Sequence, residues 1–325
     1  GEPVLSVAPQ PRNRASGHVT SVLPPLPSLV VGREDALAEI KSRLGVFQPQ
    51  TRRPITIIEG WPGVGKSTMI GTLAHDPALN AACPDGVLWT SLGETPTLLR
   101  KLMVWGEALH VIPPGKTPTL EELTSQLTAA LRNRHMLLIV DDVWQVEHAA
   151  PFQVGGQGCV MVMGSRLTNV ARALAPTSAD VYRLPVLTDE YALSLLSHLA
   201  PGTIESHPEE ALQLIHDLEG LPLAIQVAGR LLHEEMKMGW GMVELLHELR
   251  SGANLLNAQA PNDMQQGYTA PTVMALLKRS TDTLKAETLQ HFALLSMFAA
   301  KPATFDLAAM AAVWGVRDAR ATVRQ

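Results

Sequence analysis

Aromatic residues are scarce, at 4% of 325 residues. The cores of this chain must therefore be built from Leu, Val, Ala and Met, as is typical of helix-rich proteins. Cysteine is rarer still. Cys83 and Cys159 by themselves make neither a zinc site nor a disulfide framework, so a reducing, cytoplasmic compartment fits best. No run of about eighteen apolar residues occurs, which excludes a membrane-spanning helix. Gly1-Glu2-Pro3 carries neither the basic nor the apolar part of a signal peptide. A net charge of −5 argues against a nucleic-acid-binding surface over the whole protein. A local basic patch remains open.

What is present is globular. Apolar residues make up 46% and charged residues 18%, enough to bury substantial cores. The length implies about two or three units. Prolines at 3, 9, 11, 24, 25 and 27 mark residues 1–28 as an extended arm or solvated linker. The first glycine and the abrupt last residues lead us to expect a middle fragment of a larger protein.

From Leu29 strand and helix signals alternate. Ile55–Glu59, Val87–Ser91, Met136–Val140, Cys159–Met163 and Asp180–Leu184 read as strands. Thr95-Pro96 and Thr117-Pro118 read as helix starts, each with proline at the first helical position. Such alternation implies βαβ units and a parallel sheet. After about Pro185 the strands stop. Residues 188–200, 208–218, 222–236 and 240–250 read as helices, with Thr188 as a cap and Asp189-Glu190 in an acidic first turn. Residues 251–270 read as a loop, and helical patterns resume over 272–284, 286–298 and from Asp306.

Three features carry chemistry, all at carboxyl ends of expected strands, where open α/β sheets bind ligands. Gly60-Trp61-Pro62-Gly63-Val64-Gly65-Lys66-Ser67 matches the P-loop pattern. Its glycines allow inward-facing N–H groups, and the following helix adds its positive end. Lys66 is expected at the β- and γ-phosphates and the Ser67 hydroxyl on Mg²⁺. Trp61 either packs on the domain or faces the ligand. Leu137–Val140 followed by Asp141-Asp142 matches a Walker B strand. Asp141 is expected to hold Mg²⁺ opposite Ser67, and Asp142 to act as general base toward water. Arg166 ends the next strand, where a guanidinium would read the γ-phosphate; the simpler reading is a surface salt bridge. His233-Glu234-Glu235 and His247–Arg250 lack the second histidine of a zincin helix.

Six segments in one order resemble the NB-ARC ATPases, the STAND-class switches of signal transduction. They are Val30–Glu34, Gly60–Thr68, Leu88–Gly93, Leu138–Trp144, Gly164–Arg166 and Gly220–Ala224. The resemblance covers about residues 29–300 and suggests a bacterial-type signalling fragment. It implies an ASCE-type P-loop NTPase: a parallel sheet with helices on both faces at 29–186, and the Arg166 strand lying between the P-loop and Walker B strands. A four-helix domain at 187–265 and the start of a winged helix at 266–325 would follow, the latter opening near Phe292–Phe298.

It also implies that Gly60, Pro62, Gly63, Val64, Gly65, Lys66, Ser67 and Thr68 hold ATP or ADP. Val31 and Arg33 would contact adenine, and Pro222 would pack on the base. Lys66, Arg166 and Asp142 would serve slow hydrolysis, with Mg²⁺ on Ser67 and Asp141. The family's Met-His-Asp motif is not among these residues. The expected partners are nucleotide, an effector module upstream and a repeat sensor downstream, with a monomer in ADP and a homo-oligomer in ATP. Neither membrane nor nucleic acid is an expected partner.

Two rival readings differ in kind. A remodelling ATPase of the AAA-like type would favour Asp-Glu where Asp141-Asp142 stands. A DNA-binding regulator with structural nucleotide would need a basic recognition helix, and only Lys301, Arg317, Arg320 and Arg324 are scattered there.

Overall fold

The computed structural model describes residues 19–46, 54–113, 115, 117–237, 243–245, 247–248, 285–298, 306–317 and 319–320. The strands are β1 (Val19–Thr20), β2 (Ile55–Glu59), β3 (Gly86–Gly93), β4 (Met136–Val143), β5 (Val160–Ser165) and β6 (Val181–Arg183). They form one sheet in the order β1-β3-β4-β5-β2-β6, with every recorded pairing parallel. β5 therefore lies between β2 and β4, as the resemblance implies.

Period-two alternation sorts the strand side chains onto two buried faces. Ile58, Val87, Trp89, Leu137, Ile139, Val160 and Val162 face one core. That core takes α1 (Glu34–Arg43), α2 (Lys66–Ala74) and α3 (Pro77–Ala82). Ile57, Leu88, Leu138, Val140, Met161 and Met163 face the other. There α4 (Leu98–Ala108), α5 (Leu120–Leu131) and α7 (Thr168–Leu174) pack, with the short α6 (Val146–Ala149). Two aromatics meet in this second core. Trp105 of α4 meets Phe152 edge-on, with ring centroids 5.3 Å apart.

After β6 come α8 (Asp189–Leu199), α9 (Thr203–Ser206), α10 (Pro208–Asp217) and α11 (Pro222–Lys237). Thr188 caps α8 and Asp189-Glu190 fill its first turn. Leu195, Leu214 and Ile225 of these helices join the first core, so the helices pack against the same layer that carries α2. Farther on, α12 (Ala286–Leu294) and α13 (Leu307–Trp314) are joined by the indole of Trp314, which donates to the His291 carbonyl at 2.8 Å. No helix among the described residues is long and apolar enough to cross a membrane.

Several details differ from expectation. Part of the arm is not a solvated linker. Val19–Thr20 adds a parallel edge strand to β3, and Ser21 Oγ accepts the Trp89 N–H at 2.6 Å. His75 Nε2 then meets the Pro24 carbonyl at 2.9 Å. Proline content suggests a tether, but an unpaired β3 edge with a buried hydroxyl partner decides these residues' fate.

Helices α4 and α5 begin two residues beyond the expected prolines. At α5 the reason is visible: Thr119 Oγ1 accepts the Glu122 N–H while Glu122 accepts the Thr119 N–H, a capping box that fixes the start. The helix expected at 240–250 is described only at 243–245 and 247–248. The loop at 251–270 and the helix at 272–284 lie outside the described residues, as do residues 1–18 of the arm.

Candidate functional site

β2 is buried along its whole length and ends on Glu59. The chain then turns through Gly60–Gly65 into α2. Gly63 at φ 81 and Gly65 at φ 99 adopt the left-handed region that L side chains avoid. Gly65 is also the N-cap residue of α2, so the helix's free N–H groups open onto this loop. Lys66 Nζ donates to the carbonyls of Gly60 at 2.7 Å and Trp61 at 3.0 Å. Its amine is pulled down to about 8, mainly by burial and secondarily by the neighbouring Arg166 charge.

The adjacent strand ends bring acid to this base. Asp141 is buried at the end of β4, and burial pushes its carboxyl above the ordinary carboxylate range. The Ser67 hydroxyl, the Asp142 N–H and the Lys66 charge partly offset that. Gly164 of β5 is required here, because a side-chain carbon at that position would collide with Asp141 Oδ1. Asp142 follows at φ 53, a conformation Asp tolerates better than most residues. Its Oδ1 accepts from Arg166 Nη2 at 2.8 Å, and the guanidinium carbon of Arg166 lies 4.4 Å from the Trp144 ring centroid.

Lys66, Ser67, Asp141, Asp142 and Arg166 are thus neighbours, as the motifs predict. The Arg166 salt bridge exists, but its partner is Asp142 itself. Ser67 and Asp141 place two hard oxygens in hydrogen-bond contact, a donor set that suits Mg²⁺.

Beside the glycine loop lies a recess lined by Val31, Arg33, Gly65, Thr68, Pro222 and Gln226, among others. Val64 is buried beneath it. Arg33 borders the recess, yet its two terminal nitrogens donate to the carbonyls of Pro185 at 2.8 Å and Val64 at 2.7 Å. It ties the glycine loop to the segment leading into α8. Pro222 comes from the opposite side, at the start of α11. Next to it, the Leu223 N–H donates to the Gly63 carbonyl at 3.2 Å. Tyr191 of α8 lies so close over Gly32, at φ 63, that a side-chain carbon there would overlap its ring.

Sequence reasoning missed several of these residues. Glu59 is buried and accepts from Thr168 Oγ1 at 2.7 Å; an acid ending an apolar strand just before the glycine loop was the available signal. Trp144 sits within the quoted Walker B segment, but its stacking on the neighbouring strand's arginine leaves no mark in the sequence. Tyr191 and Leu223 contact the sheet domain only through tertiary packing. Trp61 is 39% exposed at the loop tip.

The parallel sheet, the glycine loop between β2 and α2, and the acidic end of β4 define a P-loop NTPase fold, built to bind nucleotide. The family model described as the NB-ARC domain matches residues 33–202, just over half of the 325 residues, and the chain belongs to that STAND-class family. Among curated relatives, apoptotic protease-activating factor 1 of Danio rerio is 30% identical over 226 residues, which are 65% of this chain and 17% of that protein. A probable disease resistance protein of Arabidopsis thaliana is 27% identical over 277 residues, 81% of this chain and 31% of the relative. The chain thus spans under a third of either. A solved structure of Cdc6p from Pyrobaculum aerophilum aligns with a TM-score of 0.47 at 17% identity, covering 83% of this chain and 74% of that one.

Proposed function

We propose that this chain is the ADP/ATP-operated switch of a larger signalling protein, hydrolysing ATP slowly to reset itself. One observation carries the reading: the recess beside the phosphate loop has two owners. Val31, Arg33, Thr68 and the loop come from the sheet side, whereas Pro222 and Gln226 come from α11. A ligand filling it therefore bears on how the two parts sit together, which a single-domain pocket does not do.

In this reading Gly60, Pro62, Gly63, Val64 and Gly65 cradle phosphates with backbone N–H groups, and Lys66 exchanges its two loop carbonyls for phosphate oxygens. Val31, Thr68 and Pro222 border the base, while Arg33 fixes the loop that shapes its pocket. Ser67 and Asp141 hold Mg²⁺, which when bound neutralises charge at the β- and γ-phosphates. Asp142 orients water and accepts its proton. Arg166, now on Asp142, turns to the γ-phosphate. ATP and ADP differ in that group, so Lys66 and Arg166 supply the differential contact a switch needs. Moving a population from 1:99 to 99:1 takes about 5.5 kcal/mol.

We assign residues 29–186 to the nucleotide-binding unit, 187–265 to the helical unit and 266–325 to a winged-helix unit. Opening of their seam in ATP would license homo-oligomers, with ADP holding the monomer.

The test begins by denaturing purified protein and identifying any released nucleotide, followed by steady-state hydrolysis. Retained ADP and slow turnover support the switch. Fast turnover with no retained nucleotide sinks it in favour of a motor.

A further inference from the structure

The contact between Arg166 and the β4 end has two parts. Nη2 reaches Asp142 Oδ1 at 2.8 Å, and the guanidinium plane carbon lies 4.4 Å from the Trp144 ring centroid. Asp142 stands near the end of β4 and Trp144 is the first residue beyond it, two residues along the same short stretch of chain. A single backbone segment therefore sets both contacts. The ion pair is partly exposed, with side chains 35% and 30% accessible, and such a pair alone is worth little. The stack adds more, because an arginine over an indole is among the stronger cation–π contacts. We propose that Trp144 is a positioning residue that sets the preference between ATP and ADP, by holding the Arg166 guanidinium on Asp142 and away from the phosphate site.

A second observation makes this pose exchangeable. Arg166 Nε and Trp144 Nε1 are both buried donors without an acceptor among the described residues. The pose satisfies the guanidinium only in part, and a phosphate oxygen pair offers it the bidentate geometry it lacks. With ATP, the arginine leaves the indole and recovers the loss on the γ-phosphate. With ADP no such acceptor is offered, and the stack persists. Trp144 thus opposes ATP specifically and leaves ADP untouched. A tryptophan that merely packs would affect both nucleotides alike.

The proposal rests on the reading of Arg166 as the γ-phosphate contact, and the experiment separates the two. The 325-residue chain is titrated with ADP and with AMP-PNP in Mg²⁺, as wild type, Trp144→Leu and Trp144→Phe, each with and without Arg166→Gln. Trp144→Leu is expected to raise the ratio of Kd for ADP to Kd for AMP-PNP roughly 3- to 10-fold, the range of a partly desolvated cation–π contact. Trp144→Phe, which keeps a weaker ring face and folds more readily, is expected to raise it less. Both effects should vanish in the Arg166→Gln background. An unchanged or lowered ratio overturns the proposal, as does equal weakening of both nucleotides or a rise that survives Arg166→Gln. If Arg166→Gln alone leaves the ratio unaltered, the γ-phosphate reading of Arg166 fails first, and the role of Trp144 with it.

Discussion

The two ends of the sheet use glycine for opposite purposes. At the carboxyl end, Gly63 and Gly65 take positive φ, and a side-chain carbon at Gly65 would meet nothing within 4 Å. The glycine there leaves room. At the amino end, Gly155, Gly156 and Gly158 lead into β5, and a side-chain carbon at Gly156 would collide with the Arg132 carbonyl. The glycine there closes a gap. The lysine, aspartates and arginine of the candidate site converge at the first end. The other has a recess lined by Pro54, Ile55, Leu138, Gln153 and Cys159, with no carboxylate or amine. Glycine density marks close backbone geometry; the site is marked by Lys66, Asp141, Asp142 and Arg166 meeting where the strands stop.

The contrast can be broken most severely through Asp142. Asp142→Asn should leave nucleotide affinity near wild type but lower ATP turnover roughly 100- to 10,000-fold, the usual contribution of a positioned base. Single-turnover assays decide; full turnover would remove Asp142 from the chemistry. Next comes Lys66→Ala, expected to weaken ATP by roughly 100-fold or more, since a charged partner of phosphate is lost. Because burial disfavours the Lys66 charge, thermal stability of the ligand-free protein should not fall. Calorimetry of binding and unfolding on one preparation checks both halves.

The glycines sharpen the comparison directly. Gly156→Ala should cost about 1–3 kcal/mol of stability through overpacking, while the folded fraction binds nucleotide normally. Gly65→Ala should show the reverse emphasis: backbone strain of about 1–2 kcal/mol, but a larger loss of nucleotide affinity. Denaturant unfolding with parallel titrations would expose the idea as wrong if both substitutions behaved alike.

The smallest effect is the pH dependence. Phosphate favours the charged form of Lys66, so affinity should be full below the ligand-free value of about 8. It should then decline as pH rises, by up to about tenfold per unit above that point. Lys66→Arg should flatten the profile, which isothermal titration from mildly acidic to mildly alkaline buffer would reveal. For stability the sign is opposite. A depressed lysine is relieved of its burial penalty as pH rises from about 8 toward its unfolded value of 10.5, so ligand-free protein gains stability there.

Much of this was legible in advance, for local reasons. Ile55–Glu59 and Met136–Val140 announce buried strands because a parallel sheet covered on both faces needs unbroken apolar runs. The P-loop and Asp141-Asp142 follow those runs directly, so their placement at the carboxyl edge needed no tertiary information. What stayed hidden depended on neighbours distant in the chain. Val19–Thr20 became a strand because the β3 edge was vacant. Trp144 meets Arg166 only because β5 ends beside it. Arg33 stands in one of the quoted motifs, but the carbonyls it ties together lie 31 and 152 residues away.

The contact between Leu223 and Gly63 has a consequence for how such a molecule can change over generations. It is a bond between two backbones, amide to carbonyl; most substitutions at position 223 leave the amide in place, whereas at Gly63, at φ 81, an added side-chain carbon would press on Leu223 at 3.1 Å. Only proline at position 223 would delete the donor outright. Drift can therefore retune the seam through the side chains around it, Tyr191 or Pro222 for instance, while the rivet itself asks only that position 63 stay glycine and that position 223 not become proline.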